Sequence, residues 1–316
     1  MTEFLDFLEA NPHLEELLLD DAGPSMHTSD SRPPIQLPHL RLLCFVATLT
    51  ERALASRVLS HLRLPRHCCI RAHRDMDPSH LDELLPSPFP ADVHLLPTFG
   101  CVERLSIRDD MKVFGESSIR FSATSRHSGV STSYRLRNGS DVYDAWPEAT
   151  LNYFLRSIPC SQIRSLYVSV GKSSLSFHAD GWRSLFERLT ALEELSLTDM
   201  DVSHVVEGLE TLCLVTKGRD ILSKLSSFRL IRPKALNVDS LFSWAGGCTM
   251  REQSLSCALL VVLEMQIPSP NFKIPNNLPK NVQILITDSA SAADIADPTL
   301  DEPSDMTWPP FGRDIS

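Results

Sequence analysis

The feature that most constrains this chain is a short phrase that recurs along it: an apolar residue, two variable ones, an apolar, one variable, and a third apolar. It reads Leu14, Leu17, Leu19, then Leu40, Leu43, Phe45, then Val102, Leu105, Ile107, then Ile163, Leu166, Val168. Leu192, Leu195, Leu197 is the clearest copy; Leu225, Phe228, Leu230 follows, with weaker copies at residues 260–265 and 282–287. The second half of the phrase alternates as a half-buried strand does, apolar to one side and variable to the other. A chain that repeats such a unit buries each copy against the next, so the copies are expected to stack side by side in one sheet.

Between the copies lie segments of helical period. Residues 2–10 put Phe4, Leu5 and Leu8 on one face with Thr2 as N-cap, and residues 50–62 repeat the design with Thr50 as cap and Leu54, Val58 and Leu62 in line. Residues 77–85 open with Asp77 before Pro78, a cap followed by a good first helical residue. The other candidates are residues 141–158, 179–189, 201–214 and 237–245. Strand and helix therefore alternate, which implies βα units and a mainly parallel sheet. The phrases start at residues 14, 40, 102, 163, 192, 225, 260 and 282, so most steps span 22 to 35 residues and two are about twice that. The first long step holds Cys68, Cys69, Ile70, Arg71 and Ala72, a candidate degenerate strand; the second holds alternating stretches at 118–124 and 131–136 around Ser128-Gly129, read as a β-hairpin inserted at about residues 115–140.

The phrases at 14–19, 40–45 and 192–197 resemble the strand half of leucine-rich repeats, although Asp20-Asp21 and Thr198-Asp199 stand where an asparagine is usual. Irregular repeats with helices, and wording such as Asn11-Pro12-His13-Leu14 and Leu37-Pro38-His39-Leu40, resemble the C-terminal repeat domains of fungal, basidiomycete-type F-box proteins. The resemblance covers residues 1–287 and implies an α/β fold: an irregular leucine-rich-repeat-like solenoid with a parallel sheet on its concave face and helices outside. It also implies a non-enzymatic protein–protein interaction module that selects substrates for a ubiquitin ligase. No Leu-Pro-x-Glu-type F-box is found, and Met1 opens on a repeat helix without a polar capping unit. The chain is therefore expected to be the C-terminal part of a longer protein or the product of a truncated gene model, and a Skp-type adaptor is a partner only if an F-box lies upstream.

Outward positions of the phrases define the candidate contact surface: Glu16, Leu18, Arg104, Ser106, Arg108, Tyr167, Glu194, Ser196 and Arg229. Arginine and tyrosine dominate protein-binding hot spots, which singles out Arg104, Arg108, Tyr167 and Arg229, with Glu194 beside them. The partner is expected to be a protein. A net charge of −10 argues against nucleic acid and against docking on anionic membranes. The N-terminus carries acids inside its apolar stretch and lacks a basic region, unlike a signal peptide, and no apolar run is long enough to span a bilayer. Cytoplasm or nucleus is the expected location, with reduced cysteines and an incidental glycosylation acceptor at Asn138.

Chemistry is sparsely signalled. His61, His67, Cys68, Cys69 and His73 form the one cluster of metal-ligand types, but adjacent cysteines on a strand face opposite ways, so one buried thiol, one exposed thiol and surface histidines are expected instead of a metal. Gly171-Lys172-Ser173 has the tail of a phosphate loop but Leu166 where its first glycine belongs. Asp199 and Asp201 read as strand-end and cap residues, and Trp146, Trp182 and Trp244 as core. No catalytic set and no cofactor is expected. Two alternatives stand beside the interaction module: an α/β enzyme with an active site on strand-end loops, and a degenerate family member without retained function. Residues 288–316, with seven acids against Arg313 and four prolines, form an expected disordered acidic tail.

Overall fold

The computed structural model describes residues 2–20, 32–47, 54–76, 96, 98, 100, 102–109, 117–125, 128–136, 146–169, 177–215, 224–231, 259–265 and 282–288. Helices α1 (Thr2–Ala10), α2 (Leu54–Ser60), α3 (Trp146–Arg156), α4 (Ala179–Arg188) and α5 (Ser203–Val215) alternate with strands. The strands are β1 (Glu16–Asp20), β2 (Ile35–Gln36), β3 (Leu42–Ala47), β4 (Leu62–Arg63), β5 (Cys69–Met76), β6 (Arg104–Asp109), β7 (Ser117–Thr124) and β8 (Gly129–Leu136). They continue with β9 (Ser165–Ser169), β10 (Glu194–Thr198), β11 (Ser227–Ile231), β12 (Leu259–Met265) and β13 (Val282–Asp288). Eleven of them form one open sheet in the order β1-β3-β5-β8-β7-β6-β9-β10-β11-β12-β13, while β2 and β4 pair separately. Within the large sheet only β7 runs against the rest. The fold is mixed α/β with a large, mostly parallel sheet that does not close into a barrel.

Every phrase copy becomes a strand, and the first six copies lie in register. The fourth phrase position forms a continuous row, Leu17, Leu43, Ile70, Val130, Ala123, Leu105, Leu166, Leu195 and Phe228, each paired with the next. A parallel row two residues on joins Leu19, Phe45, Ala72, Thr132, Phe121, Ile107, Val168, Leu197 and Leu230. Both rows are buried, and so is the first phrase position at Leu40, Val102, Ile163, Leu192 and Leu225. A backbone device repeats with them. Two consecutive amides, of Arg41 and Leu42, donate to the Glu15 carbonyl, and the same bonds join Arg164 and Ser165 to Glu103, Glu193 and Glu194 to Arg164, and Ser226 and Ser227 to Glu193.

Helices cover one face of this sheet. Spatial order follows chain order along β1-β3-β5 and again along β6-β9-β10-β11, so right-handed crossovers leave on the same side throughout. Leu5 and Leu8 of α1, Val58 and Leu59 of α2, Leu151, Phe154 and Leu155 of α3, Trp182, Leu185 and Phe186 of α4, and Val205, Val206, Leu209 and Leu212 of α5 join both inner rows in one apolar cluster. Phe121 of β7 stacks on Phe154, centroids 5.8 Å apart, which ties the hairpin to the helical layer. None of the alternate, outer-row residues belongs to that cluster.

Several expectations are adjusted. The stretch 68–72 is a full strand, β5, and its approach is one residue short: Cys68, not residue 67, fills the buried pre-strand place, after a turn closed by its amide on the Pro65 carbonyl. The hairpin spans β7 and β8, and its turn is Ser125–Ser128, where the Ser125 amide donates to the Ser128 carbonyl at 2.8 Å. Gly129 is therefore not a turn residue but the first of β8, where a Cβ would lie 3.0 Å from the Ala123 carbonyl oxygen and 2.9 Å from Thr124 Cγ2. Leu62 starts β4 instead of continuing α2, and Thr2 lies inside α1. In β12 the row positions are Val261 and Leu263, and in β13 Ile284 and Ile286, shifted by two residues and by one from the phrase frames at 260 and 282. LLVVLEM is too evenly apolar to mark its own register, whereas in VQILITD the alternation of Val282, Ile284 and Ile286 with Gln283 and Thr287 marks the row that the phrase frame misses. Thr50, the helices at 77–85 and 237–245, Gly171-Lys172-Ser173 and Trp244 lie outside the described residues, as does the tail beyond Asp288, which itself ends β13.

Asp199 adopts a left-handed φ of 56° at the end of β10, its amide donating to the Ile231 carbonyl at 3.0 Å. Asp201 accepts the Ser203 amide at 2.9 Å and so caps α5. That bond, with help from the Ser203 hydroxyl and His204, holds the Asp201 carboxyl below its ordinary value. A depressed carboxyl stabilises the fold above its unfolded pKa and loses that contribution as pH falls through its folded one. Asp201→Ala is expected to cost about 1 kcal/mol at neutral pH. The deficit, read by chemical denaturation, should shrink as pH falls below the ordinary carboxyl range and the Asp201 carboxylate becomes protonated; a deficit that stays unchanged through that titration would mean packing, not the carboxylate, is responsible.

Candidate functional site

The sheet face turned away from the helices carries the outer rows. The nearest to the strand starts runs Glu16, Leu42, Cys69, Gly129, Thr124, Arg104, Ser165, Glu194, Ser227. The next runs Leu18, Cys44, Arg71, Ser131, Ser122, Ser106, Tyr167, Ser196, Arg229, and the third passes through His73, Ser133, Arg120, Arg108, Ser169 and Thr198. Alternation places these side chains here: residues two apart share a face, so burying Leu105 and Ile107 turns Arg104, Ser106 and Arg108 outward.

All five singled-out residues, Arg104, Arg108, Tyr167, Glu194 and Arg229, lie on this face. Three of them meet. The Glu194 carboxylate on β10 accepts hydrogen bonds from Ser165 Oγ at 3.0 Å and Tyr167 OH at 3.4 Å, both on β9. Burial first, then the Glu194 carboxylate, raises the Tyr167 phenol above its ordinary pKa, against the opposing pull of Arg104 and of a hydrogen bond from Ser165. Tyr167 is thus a neutral donor at physiological pH, held by Glu194. Arg229 is one strand further out, in register with Ser196, and Arg108 lies four residues along β6 from Arg104. Tyr167, Arg108 and Arg229 are half-buried, while Arg104 and Glu194 are exposed.

The phrase pattern did not mark Arg71, His73, Arg120, Ser122, Ser131 and Ser133 as members of this face, because they sit on β5 and on the hairpin. Their signal was the polar half of the alternation at 118–124 and 129–135, which becomes a surface only once the hairpin is known to enter the same sheet. Ser122 Oγ donates to Ser131 Oγ at 3.1 Å across the hairpin, and His73 Nδ1 is hydrogen-bonded to Ser133 Oγ.

The five metal-ligand types do not converge. Cys68 is fully buried and its thiol is pushed up to about 12 by burial, with Cys69 adding to the effect. Cys69 is half-buried on the outer row; burial raises its thiol too, against the nearby Arg71. His61 lies in the turn after α2, where its carbonyl accepts the Ile35 amide, and His67 is exposed. Among the described residues no three histidine, cysteine or acidic side chains come together as a metal would require, and no helix is long and apolar enough to cross a membrane. Trp182 is buried against Phe177 and Phe186, as a core residue.

From β8 to β11 this face offers a polar surface with long guanidinium and phenol groups standing on a floor of small hydroxyls, while Leu18, Leu42 and Cys44 make it apolar at the β1-β3 end. Compared with protein-family models and with curated proteins, the chain matches none significantly.

Proposed function

We propose that this chain is a non-enzymatic interaction module, an irregular leucine-rich-repeat-like solenoid that presents the uncovered sheet face to a partner protein. The more specific form of the reading makes it the substrate-recognition part of an F-box ubiquitin-ligase adaptor acting in the cytoplasm or nucleus. The observation that supports it is the separation of the two faces: one sheet side is sealed by helices, while the other sets Arg104, Arg108, Tyr167, Glu194 and Arg229 on four consecutive strands, β6-β9-β10-β11. A sheet is a stiff platform, and side chains fixed on it lose little further entropy when a partner arrives. Tyrosine and arginine supply large contact area at fixed positions, the composition of binding hot spots.

The test is affinity capture with the chain and with a variant carrying Arg104→Ala, Arg108→Ala, Tyr167→Ala and Arg229→Ala together, followed by direct titration of whatever protein the parent retains. Loss of about 100-fold or more in affinity is expected, because each hot-spot truncation costs on the order of 1–2 kcal/mol. Circular dichroism should show the same fold for both. Undiminished binding by a folded quadruple variant would end the proposal.

A further inference from the structure

Among the described residues β1 ends the large sheet, with β3 on one side and no strand on the other. The phrase positions are more exposed at this edge. Leu14 is only half-buried, where Leu40, Val102, Ile163, Leu192 and Leu225 are buried. Leu17 and Leu19 keep 8% and 6% of their surface, against 0% and 1% at the equivalent Leu195 and Leu197. Among the described residues the large apolar side chains that stand out in solvent are Phe7, at 52%, and Leu18, at 44%, and both belong to the α1–β1 unit. Leu18 is on the outer row of β1. At about 100° per residue, Asp6 and Phe7 flank the buried Leu5–Leu8 stripe of α1 on opposite sides. Asp6 pairs with Arg32, just ahead of β2 and on the side of the following repeat, which leaves Phe7 on the side of the open edge.

Backbone donors point there as well. In later copies two consecutive amides at the strand start donate to a carbonyl of the parallel neighbour before them: Arg41 and Leu42 to Glu15, Glu193 and Glu194 to Arg164. Their counterparts in the first copy are the amides of Glu15 and Glu16, which no described residue accepts. The charge of the edge limits what can supply that carbonyl. Glu3, Glu9 and Glu16 are exposed and unpaired among the described residues, while Arg32 and Arg41 are each taken by an acid, Asp6 and Glu15. We infer that β1 takes an extended segment of a partner protein as a further parallel strand, basic at its ends and aliphatic between them. Register sets the pattern: a lysine or arginine opposite Glu16, and apolar residues opposite Leu17, Leu18 and Leu19. Such a strand covers the exposed leucine and the flank below Phe7, and gives the two amides their acceptor. A second copy of this chain fits less well. Two antiparallel β1 strands centred on Leu18 set Glu16 opposite Asp20, and like charges so placed destabilise a pair.

The probe is a fluorescein-labelled peptide with the core Lys-Val-Leu-Val-Lys, titrated into the full chain by fluorescence anisotropy. Saturable binding is expected, with the acidic counterpart Glu-Val-Leu-Val-Glu at least about 10-fold weaker. Glu16→Lys should narrow that gap at least about 5-fold, weakening the basic peptide and strengthening the acidic one. Glu16→Gln should weaken the basic peptide several-fold if charge reversal disturbs the strand. Phe7→Ser with Leu18→Ser should cost about 10-fold or more, whereas the quadruple alanine variant of the outer face should bind within about 2-fold of the parent. N-methylation separates an added strand from a merely charged ligand. Glu15 turns its carbonyl toward β3, so the residues two and four further on turn to the same side; in the peptide those are the valines. Methylating both valine amides should abolish binding, and methylating the leucine amide should leave it within about 3-fold. Equal loss from the two methylated peptides, indifference to both Glu16 substitutions, or no saturable binding overturns the inference. So does a dimer in analytical ultracentrifugation that Leu18→Ser dissociates, which would make a second copy the occupant.

Discussion

Leu195→Asp is expected to abolish the folded state while Ser196→Asp, one residue further along β10, leaves it within about 1 kcal/mol of the parent. Leu195 has no exposed surface and pairs with Leu166 on β9 and Phe228 on β11, both equally buried. A carboxylate there is cut off from water and set among apolar side chains, and the inner row packs directly against the helices, so the charge cannot turn toward solvent. Burial of an uncompensated charge, with the loss of the leucine's own packing, costs more than about 4 kcal/mol, a large share of a domain's stability. Ser196 points the other way, between Tyr167 and Arg229 on the neighbouring strands. An aspartate there reaches out beside a guanidinium, and the strand keeps its backbone bonds. Thermal unfolding followed by circular dichroism, with soluble yield as the coarse readout, checks the contrast. Equal tolerance of both changes would mean that β10 does not separate two faces; equal intolerance would mean that the outer face is covered.

That contrast also marks what could be read from the residues alone. A buried row forces alternation, and alternation forces the opposite row outward, so Arg104, Arg108, Tyr167, Glu194 and Arg229 were assignable to one face as soon as Leu105, Leu166, Leu195 and Phe228 were recognised as equivalent. The same logic stopped where the phrase did. At β5 the buried approach residue comes one position late, at Cys68, and the sequence spacing no longer matches. At β12 a continuous apolar run leaves two frames equally good, and only the pairing of Val261 with Phe228 and Ile284 decides between them, while at β13 the phrase frame overrode the alternation of Val282, Ile284 and Ile286 with Gln283 and Thr287. The hairpin was visible as two alternating stretches, but its insertion between β5 and β6 was not. Strand pairing between residues 69–76 and 129–136 is non-local, and no side-chain pattern within either stretch specifies the other as its neighbour. That placement turns scattered serines and arginines into one patch, which is why Arg71, Arg120, Ser122 and Ser131 went unmarked while the residues of the flanking phrases did not.

Trp182→Ala should cost about 3–5 kcal/mol, the range for emptying a large aromatic from a core, and lower the melting temperature by roughly 10 °C. Among the described residues Trp182 is the bulkiest of the fully buried side chains, stacked on Phe186 with centroids 5.7 Å apart and edge-on to Phe177 at 5.4 Å. Its own Cβ is also the floor on which α5 rests: a Cβ added to Gly208 would lie 2.8 Å from it and 2.9 Å from the Ala179 carbonyl oxygen. The carbonyl belongs to the first residue of α4 and cannot swing aside as a side chain would. Glycine inside a helix ordinarily weakens it by up to about 1 kcal/mol relative to alanine, so Gly208→Ala would stabilise a solvent-facing α5. Here the sign reverses, because the helices must part to admit a methyl group and the apolar packing between α4 and α5 loosens with them. The two substitutions probe one interface from opposite sides, a void in the first and an overlap in the second, and they should not add. Trp182→Ala removes the ring but leaves both the Cβ and the Ala179 oxygen in place, so Gly208→Ala should remain destabilising in that background, by less than alone as the emptied core lets α4 settle away. A Gly208→Ala protein more stable than its parent would show that α5 does not lie this close to α4, and the helical layer that seals the inner face of the sheet would have to be rebuilt.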